Sequence, residues 1–191
     1  MDLILASTSP YRRAQLGLLR LPFRCVAPGV DEGAIEADPA EPAELARRLA
    51  RAKAEAVASR EPGAVVIGGD QVVAFEGRVL GKPGTAERAV EQLLAMAGRE
   101  HQLISAVSVA DRDGIEVATE VARLRVRALT RDEAERYVAA DRPLDCAGSY
   151  KIESLGIALF DRIEASDHSA IVGLPLLAVC RMLRARGFAL P

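Results

Sequence analysis

Hydroxyls, backbone N–H groups and two guanidinium groups meet in the segment Ser7-Thr8-Ser9-Pro10-Tyr11-Arg12-Arg13. Placed at a helix N-terminus, that set has what a triphosphate tail requires. A helix end offers unpaired donors and a partial positive charge, and an arginine adds a bidentate clamp. The same residues also describe an ordinary helix cap beside a solvated arginine pair. No GxxxxGK[ST] pattern occurs, so this is not a P-loop. Two acidic positions complement the loop. Glu32 lies in Val30-Asp31-Glu32 after a Pro-Gly break, and Asp70 follows Gly68-Gly69. Carboxylates of this kind bind a hard cation such as Mg²⁺ together with substrate phosphates, and one can orient or deprotonate an attacking water. The chain uses arginine far more often than lysine, and its three lysines are Lys53, Lys82 and Lys151. Lys82 and Lys151 sit in loops, where a compact point charge has a use that arginine does not supply. Lys53 lies within a helical stretch and also reads as a solvent-facing charge. His101 and His168 stand in polar surroundings. Asp167-His168 has no GxSxG partner, which argues against a serine hydrolase.

The elements that must position these groups follow from the hydrophobic pattern. Leu3 to Ala6 reads as a buried strand, Ser7 to Pro10 as a capping loop, and Tyr11 to Leu19 as a helix. The acid-bearing loop follows a second strand, Phe23 to Ala27. Pro39 to Pro42 is a break, and Ala43 to Arg60 is a long helix with Leu45, Leu49, Ala52 and Ala56 at helical spacing. Ala64 to Gly68 reads as a β-branched strand that delivers Asp70 at its end. Val72–Phe75 and Arg78–Leu80 form a hairpin around Glu76-Gly77. Thr85 caps a helix from Ala86 to Met96. Gln102–Ala110 and Ile115–Val126 are strands. Thr130 with Glu133 forms a capping box for Arg131 to Ala139. Cys146 to Tyr150 is a loop, Ile157 to Ile163 a strand, and Leu174 to Arg186 a closing helix. Helices and strands alternate at both ends with hairpins between them, so the expected class is α/β with a mixed sheet.

Bulk properties exclude several functions. The 191 residues suit a single domain, 1–191, with 50% hydrophobic and 27% charged residues. A formal net charge of −2 gives no field for general nucleic-acid binding, so no direct nucleic-acid partner is expected. Cys25, Cys146 and Cys180 are scattered and form no zinc pattern. No apolar run is long enough to span a membrane, and no signal peptide precedes the first strand. A cytoplasmic location is the expectation.

Taken in order, the motifs resemble those of the Maf family of nucleotide pyrophosphatases over essentially the whole chain. They are Leu5-Ala6-Ser7-Thr8-Ser9-Pro10-Tyr11-Arg12-Arg13, Val30-Asp31-Glu32, Ala52-Lys53-Ala54, Ile67-Gly68-Gly69-Asp70-Gln71-Val72, Gly81-Lys82-Pro83, Cys146-Ala147-Gly148-Ser149-Tyr150-Lys151-Ile152-Glu153 and Val172-Gly173-Leu174-Pro175-Leu176. The resemblance implies an inosine-triphosphate-pyrophosphatase-like fold with two lobes around a cleft. It implies hydrolysis of a nucleoside triphosphate to monophosphate and pyrophosphate with Mg²⁺ or Mn²⁺. Asp70 is implied as proton acceptor, with Lys53 and Lys82 in the catalytic set and Glu32 and Asp70 at the metal. Ser7, Ser9 and Arg13 are implied as phosphate contacts, with Arg12 the alternative to Arg13. Within the family the sequence is similar to the branch acting on 7-methyl-GTP, on the strength of Tyr11, Gln71 and Glu153, with Lys151 beside them. An aromatic face and a carboxylate both favour a cationic purine. A dTTP or UTP pyrophosphatase is the alternative substrate reading. A non-catalytic nucleotide-binding regulator of septum formation is the alternative class. A homodimer is left open.

Overall fold

A computed structural model describes residues 1–35 and 41–191. The strands are β1 (Leu3–Ala6), β2 (Arg24–Cys25), β3 (Val65–Phe75), β4 (Arg78–Leu80), β5 (Glu100–Asp111), β6 (Gly114–Val126) and β7 (Phe160–Glu164). The helices are α1 (Pro10–Gly17), α2 (Pro42–Ala58), α3 (Ala86–Met96), α4 (Arg131–Asp141), α5 (His168–Val172) and α6 (Leu176–Ala185). The strands form one mixed sheet in the order β2-β1-β3-β5-β6-β7, with β4 also paired to β3. β1 runs parallel to β2 and β3, and the remaining pairs are antiparallel. The expected mixed α/β architecture is therefore the observed one.

β3 organises the molecule. Its side chains alternate between the two faces of the sheet, as a strand requires. Val66 packs with Ala54 and Val57 of α2, while Val72 and Ala74 pack with Ala46 and Ala50 further along the same helix. The opposite face is divided. Val65 and Ile67 join Leu16 of α1 and Val179, Met182 and Leu183 of α6. Val73 and Phe75 join Leu93 and Met96 of α3 and Tyr137 and Val138 of α4. These two apolar clusters at opposite ends of β3 are the cores of the two lobes.

Several sequence-based boundaries change. Asp70 does not end a strand: residues Val65 to Phe75 run as one, because β5 pairs continuously along it from Val66 to Ala74. β2 is shorter than expected, pairing only at Arg24 and Cys25. The residues from Leu155 to Leu159 form a 3₁₀ turn ahead of β7, closed by the Phe160 amide on the Ile157 carbonyl, where a strand was expected. α5 was not foreseen, and the closing helix starts at Leu176. The buried stripe of α2 is Ala46, Leu49, Ala50, Lys53, Ala54 and Val57, and it includes the lysine that reads as solvent-facing. The break at Pro39 lies outside the described residues, and Pro42 opens α2. No helix among the described residues is long and apolar enough to cross a membrane.

Candidate active site

The sheet has a notch. β1 pairs with β3 only as far as Ala6 opposite Gly68, and β4 pairs with β3 only from Val73 onward. Residues Gly69 to Val72 therefore have no strand partner on that edge. The chain leaving β1 carries Ser7 to Arg12 into the gap, and the chain leaving β4 carries Lys82. This is where a ligand of an open α/β sheet is expected, outside a strand terminus where the topology changes. A cleft of about 830 Å³ opens there. Ser7, Ser9, Tyr11, Arg12, Glu32, Lys53, Asp70, Gln71, Lys82 and Glu153 all line it.

Asp70 points to the α2 face of β3 and Gln71 to the opposite face. Lys53 reaches Asp70 because α2 lies unusually close to the strand. A Cβ on Gly68 would fall 2.3 Å from the Ala50 carbonyl oxygen and 2.7 Å from the Ala54 nitrogen, so only glycine permits that approach. The Lys53 ammonium donates to Asp70 Oδ1 at 2.6 Å and pairs with Glu32 Oε1 at 2.7 Å. Asp70 and Lys53 are buried, while Glu32 is exposed. Burial raises the Asp70 carboxyl above the ordinary carboxylate range, opposed by Lys53 and Arg12. Glu32 moves the other way, held down first by its hydrogen bond to Lys53.

Arg12 and Arg13 separate. α1 begins at Pro10, and consecutive helical residues point about 100° apart. Arg12 faces the cleft, and its Nε donates to the Gly173 carbonyl at 3.0 Å. Arg13 is exposed and outside the cleft wall, so of the two arginines left open by the sequence it is Arg12 that faces the cleft. The helix end itself offers fewer donors than the sequence suggests. Pro10 has no N–H, and the Arg12 amide is taken by Ser9 Oγ, the N-cap. Ser7 Oγ likewise accepts from the Ser9 amide.

Lys151 lies apart from these groups. It is not in the cleft wall: its ammonium donates to the carbonyls of Asp141 and Arg142 at the end of α4, at 3.0 and 3.4 Å. Glu153, two residues on, is in the wall and has no hydrogen bond or ion pair among the described residues. Asp167 serves as the cap of α5 through the Ser169 amide and also accepts from the Leu177 amide, while His168 is exposed. His101 is buried behind Tyr150 and does not itself line the cleft.

The Maf-like protein family model matches residues 2–186. The chain belongs to the Maf family. It is similar to a 7-methyl-GTP pyrophosphatase of Xanthomonas campestris pv. campestris strain 8004, at 52% identity over 190 residues, or 99% of this chain and 98% of that one. It is 50% identical to a 7-methyl-GTP pyrophosphatase of Bdellovibrio bacteriovorus strain HD100, over 95% of both chains. Among solved structures it is similar to a HAM1 protein from Coxiella burnetii, at 14% identity and a TM-score of 0.49 over 97% of this chain and 99% of that one. In this Maf chain the sequence motifs missed one supporting part. The Gln71 amide nitrogen donates to Ala170 O, Ile171 O and Ser105 Oγ, so α5 and the Gly173 turn hold both Gln71 and Arg12. Val172-Gly173-Leu174 was visible as a motif, but carbonyl acceptors carry no side-chain signal that could have assigned it that role.

Proposed function

We propose that this Maf chain hydrolyses 7-methyl-GTP to the monophosphate and pyrophosphate, at the notch beside Asp70. The observation that carries the reading is the buried Asp70 carboxylate, held by Lys53 through Oδ1 alone, in one cleft with Arg12, Lys82 and Glu32. Its second oxygen has no hydrogen-bond partner among the described residues, so it is free to take a proton from water. A carboxyl shifted upward by burial is a better base than an ordinary aspartate. In the proposed step Asp70 orients and deprotonates a water that attacks the α-phosphorus, and pyrophosphate leaves. Arg12, Lys53 and Lys82 meet the charge that develops on the phosphoryl oxygens.

The donor set also fits a divalent cation. Glu32 and Asp70 are hard oxygen ligands on one lysine, while the described residues contain no group of three or more acidic, histidine or cysteine ligands. Such a site suits Mg²⁺ or Mn²⁺ arriving with the substrate's phosphates, because Mg²⁺ is commonly held by one or two carboxylates plus phosphate oxygens. Bound there, the cation would offset polyphosphate charge that Asp70 and Glu32 otherwise repel.

Two features of the cleft favour guanine. Gln71 has committed its amide nitrogen to α5, leaving its carbonyl oxygen as an acceptor. Glu153 is a second acceptor. Guanine presents adjacent N–H donors on its pairing edge, whereas uracil and thymine present one donor between two acceptors. Tyr11 adds an aromatic face for the cationic methylated ring, and the names of the relatives point the same way. Initial rates of pyrophosphate release from 7-methyl-GTP, GTP, UTP and dTTP test this reading. It expects the highest kcat/KM for 7-methyl-GTP, and a preference for either pyrimidine nucleotide would overturn it.

A further inference from the structure

We propose that Lys151 is a positioning residue: it clips the turn bearing Glu153 to the end of α4 and so governs nucleobase selectivity without touching the nucleotide. The inference rests on the reading of Glu153 as a contact to the base. The last carbonyls of a helix have no partner within it, and they form its negative end, where a cation is favoured. α4 ends at Asp141, and the next residue, Arg142, with a φ of 47°, turns the chain out of the helix. There the Lys151 ammonium caps the carbonyls of Asp141 and Arg142.

The main chain of Lys151 is held as firmly. Its amide donates to the Tyr137 hydroxyl of α4 at 2.9 Å. Its carbonyl accepts from the amides of Ser154 and Gly156 at 3.1 and 3.0 Å, which closes the turn. Ser154 Oγ donates to Asp141 Oδ1 at 2.7 Å, a further tie to the same helix end. Gly156 seats the turn from the other side, since a Cβ there would fall 2.3 Å from the Lys151 carbonyl oxygen. Glu153 sits between these anchors and makes no hydrogen bond or ion pair of its own among the described residues. Its carboxylate is placed by the backbone that Lys151 fixes. Methionine would keep the reach of the side chain and lose every donor, while arginine would keep donors for the two carbonyls.

The test uses the full-length variants K151M, K151R, E153Q and K151M/E153Q, with kcat and KM measured for 7-methyl-GTP and UTP. E153Q should lower the 7-methyl-GTP over UTP selectivity by about tenfold, the scale of one hydrogen bond to a charged group. K151M should lower it comparably, chiefly through KM for 7-methyl-GTP. The double variant should be no worse than E153Q alone, as expected of residues acting through one contact. K151R should recover most of the loss. Should K151M fail to fold, Y137F severs the main-chain tie and should show the same coupling to E153Q. Additive losses in the double variant, equal losses on both nucleotides, or unchanged selectivity in K151M would each overturn the proposal while the role of Glu153 stands. Unchanged selectivity in E153Q would instead remove Glu153 from base recognition, and the proposal with it.

Discussion

Arg12 and Arg13 differ by one position and by everything around them. Arg12 is held against Gly173 inside the cleft, and Arg13 projects into solvent. R12A should therefore weaken kcat/KM by roughly 1.5–3 kcal/mol, the range for a hydrogen bond to a charged group, while R13A stays near wild type. Steady-state kinetics on both variants decide it, and the reverse ranking would restore Arg13 as the phosphate contact. Asp70 carries the second residue-scale outcome. D70N keeps the size and loses the charge, so kcat should fall at least ~10²-fold with the fold retained. The raised pKa also fixes the sign of the pH dependence. The reaction needs ionised Asp70, so activity should fall as pH drops through a value above the ordinary aspartate range. Near-normal turnover in D70N, or an acid limb at or below that range, would contradict the role given to Asp70.

At the scale of elements, the contact of α2 with β3 is what brings Lys53 to Asp70. G68A places a methyl group against helix backbone that cannot yield by a side-chain rotation. Urea denaturation should show a loss of roughly 1–3 kcal/mol, as for overpacked sites, and kcat should fall as Lys53 is pushed away. Unchanged stability and activity would mean that the close packing is not required. This element pair also shows what the sequence could reveal. The glycine pair beside an acid was legible in the sequence, whereas the α2 backbone that Gly68 admits was not. Caps at Ser9, Thr85 and Thr130 were legible because each side chain bonds an amide three residues on. The length of β3 was not, because pairing with β5 overrides a local glycine-rich sequence. The solvent-facing reading of Lys53 fails, and the helix-end seat of Lys151 was not legible, for one reason: where a long side chain ends depends on tertiary neighbours and not on its own segment.

For the molecule as a whole, the two lobes share the sheet, and the lobe containing α3 and α4 buries a titratable group. His101 is 2% exposed, packed on Tyr150 and Phe160, and its Nδ1 has no partner among the described residues. Burial pushes its pKa down to about 4 from the ordinary 6.5. Below pH 6.5 the unfolded chain takes up a proton that the folded chain refuses, so stability is lost progressively between pH 6.5 and about 4. That loss is on the order of 3 kcal/mol for the full shift. Denaturant titrations at both ends of this window should show a smaller pH-dependent loss in H101Q than in wild type. Equal losses would show that His101 is not the group responsible.

The central claim is water attack on the α-phosphorus at Asp70, and isotope labelling tests it most directly. 7-methyl-GTP is hydrolysed in H₂¹⁸O with Mg²⁺, and both products are analysed by mass spectrometry. The proposed step places one ¹⁸O in 7-methyl-GMP and leaves the pyrophosphate unlabelled. Label in pyrophosphate, or release of single orthophosphate, would contradict it.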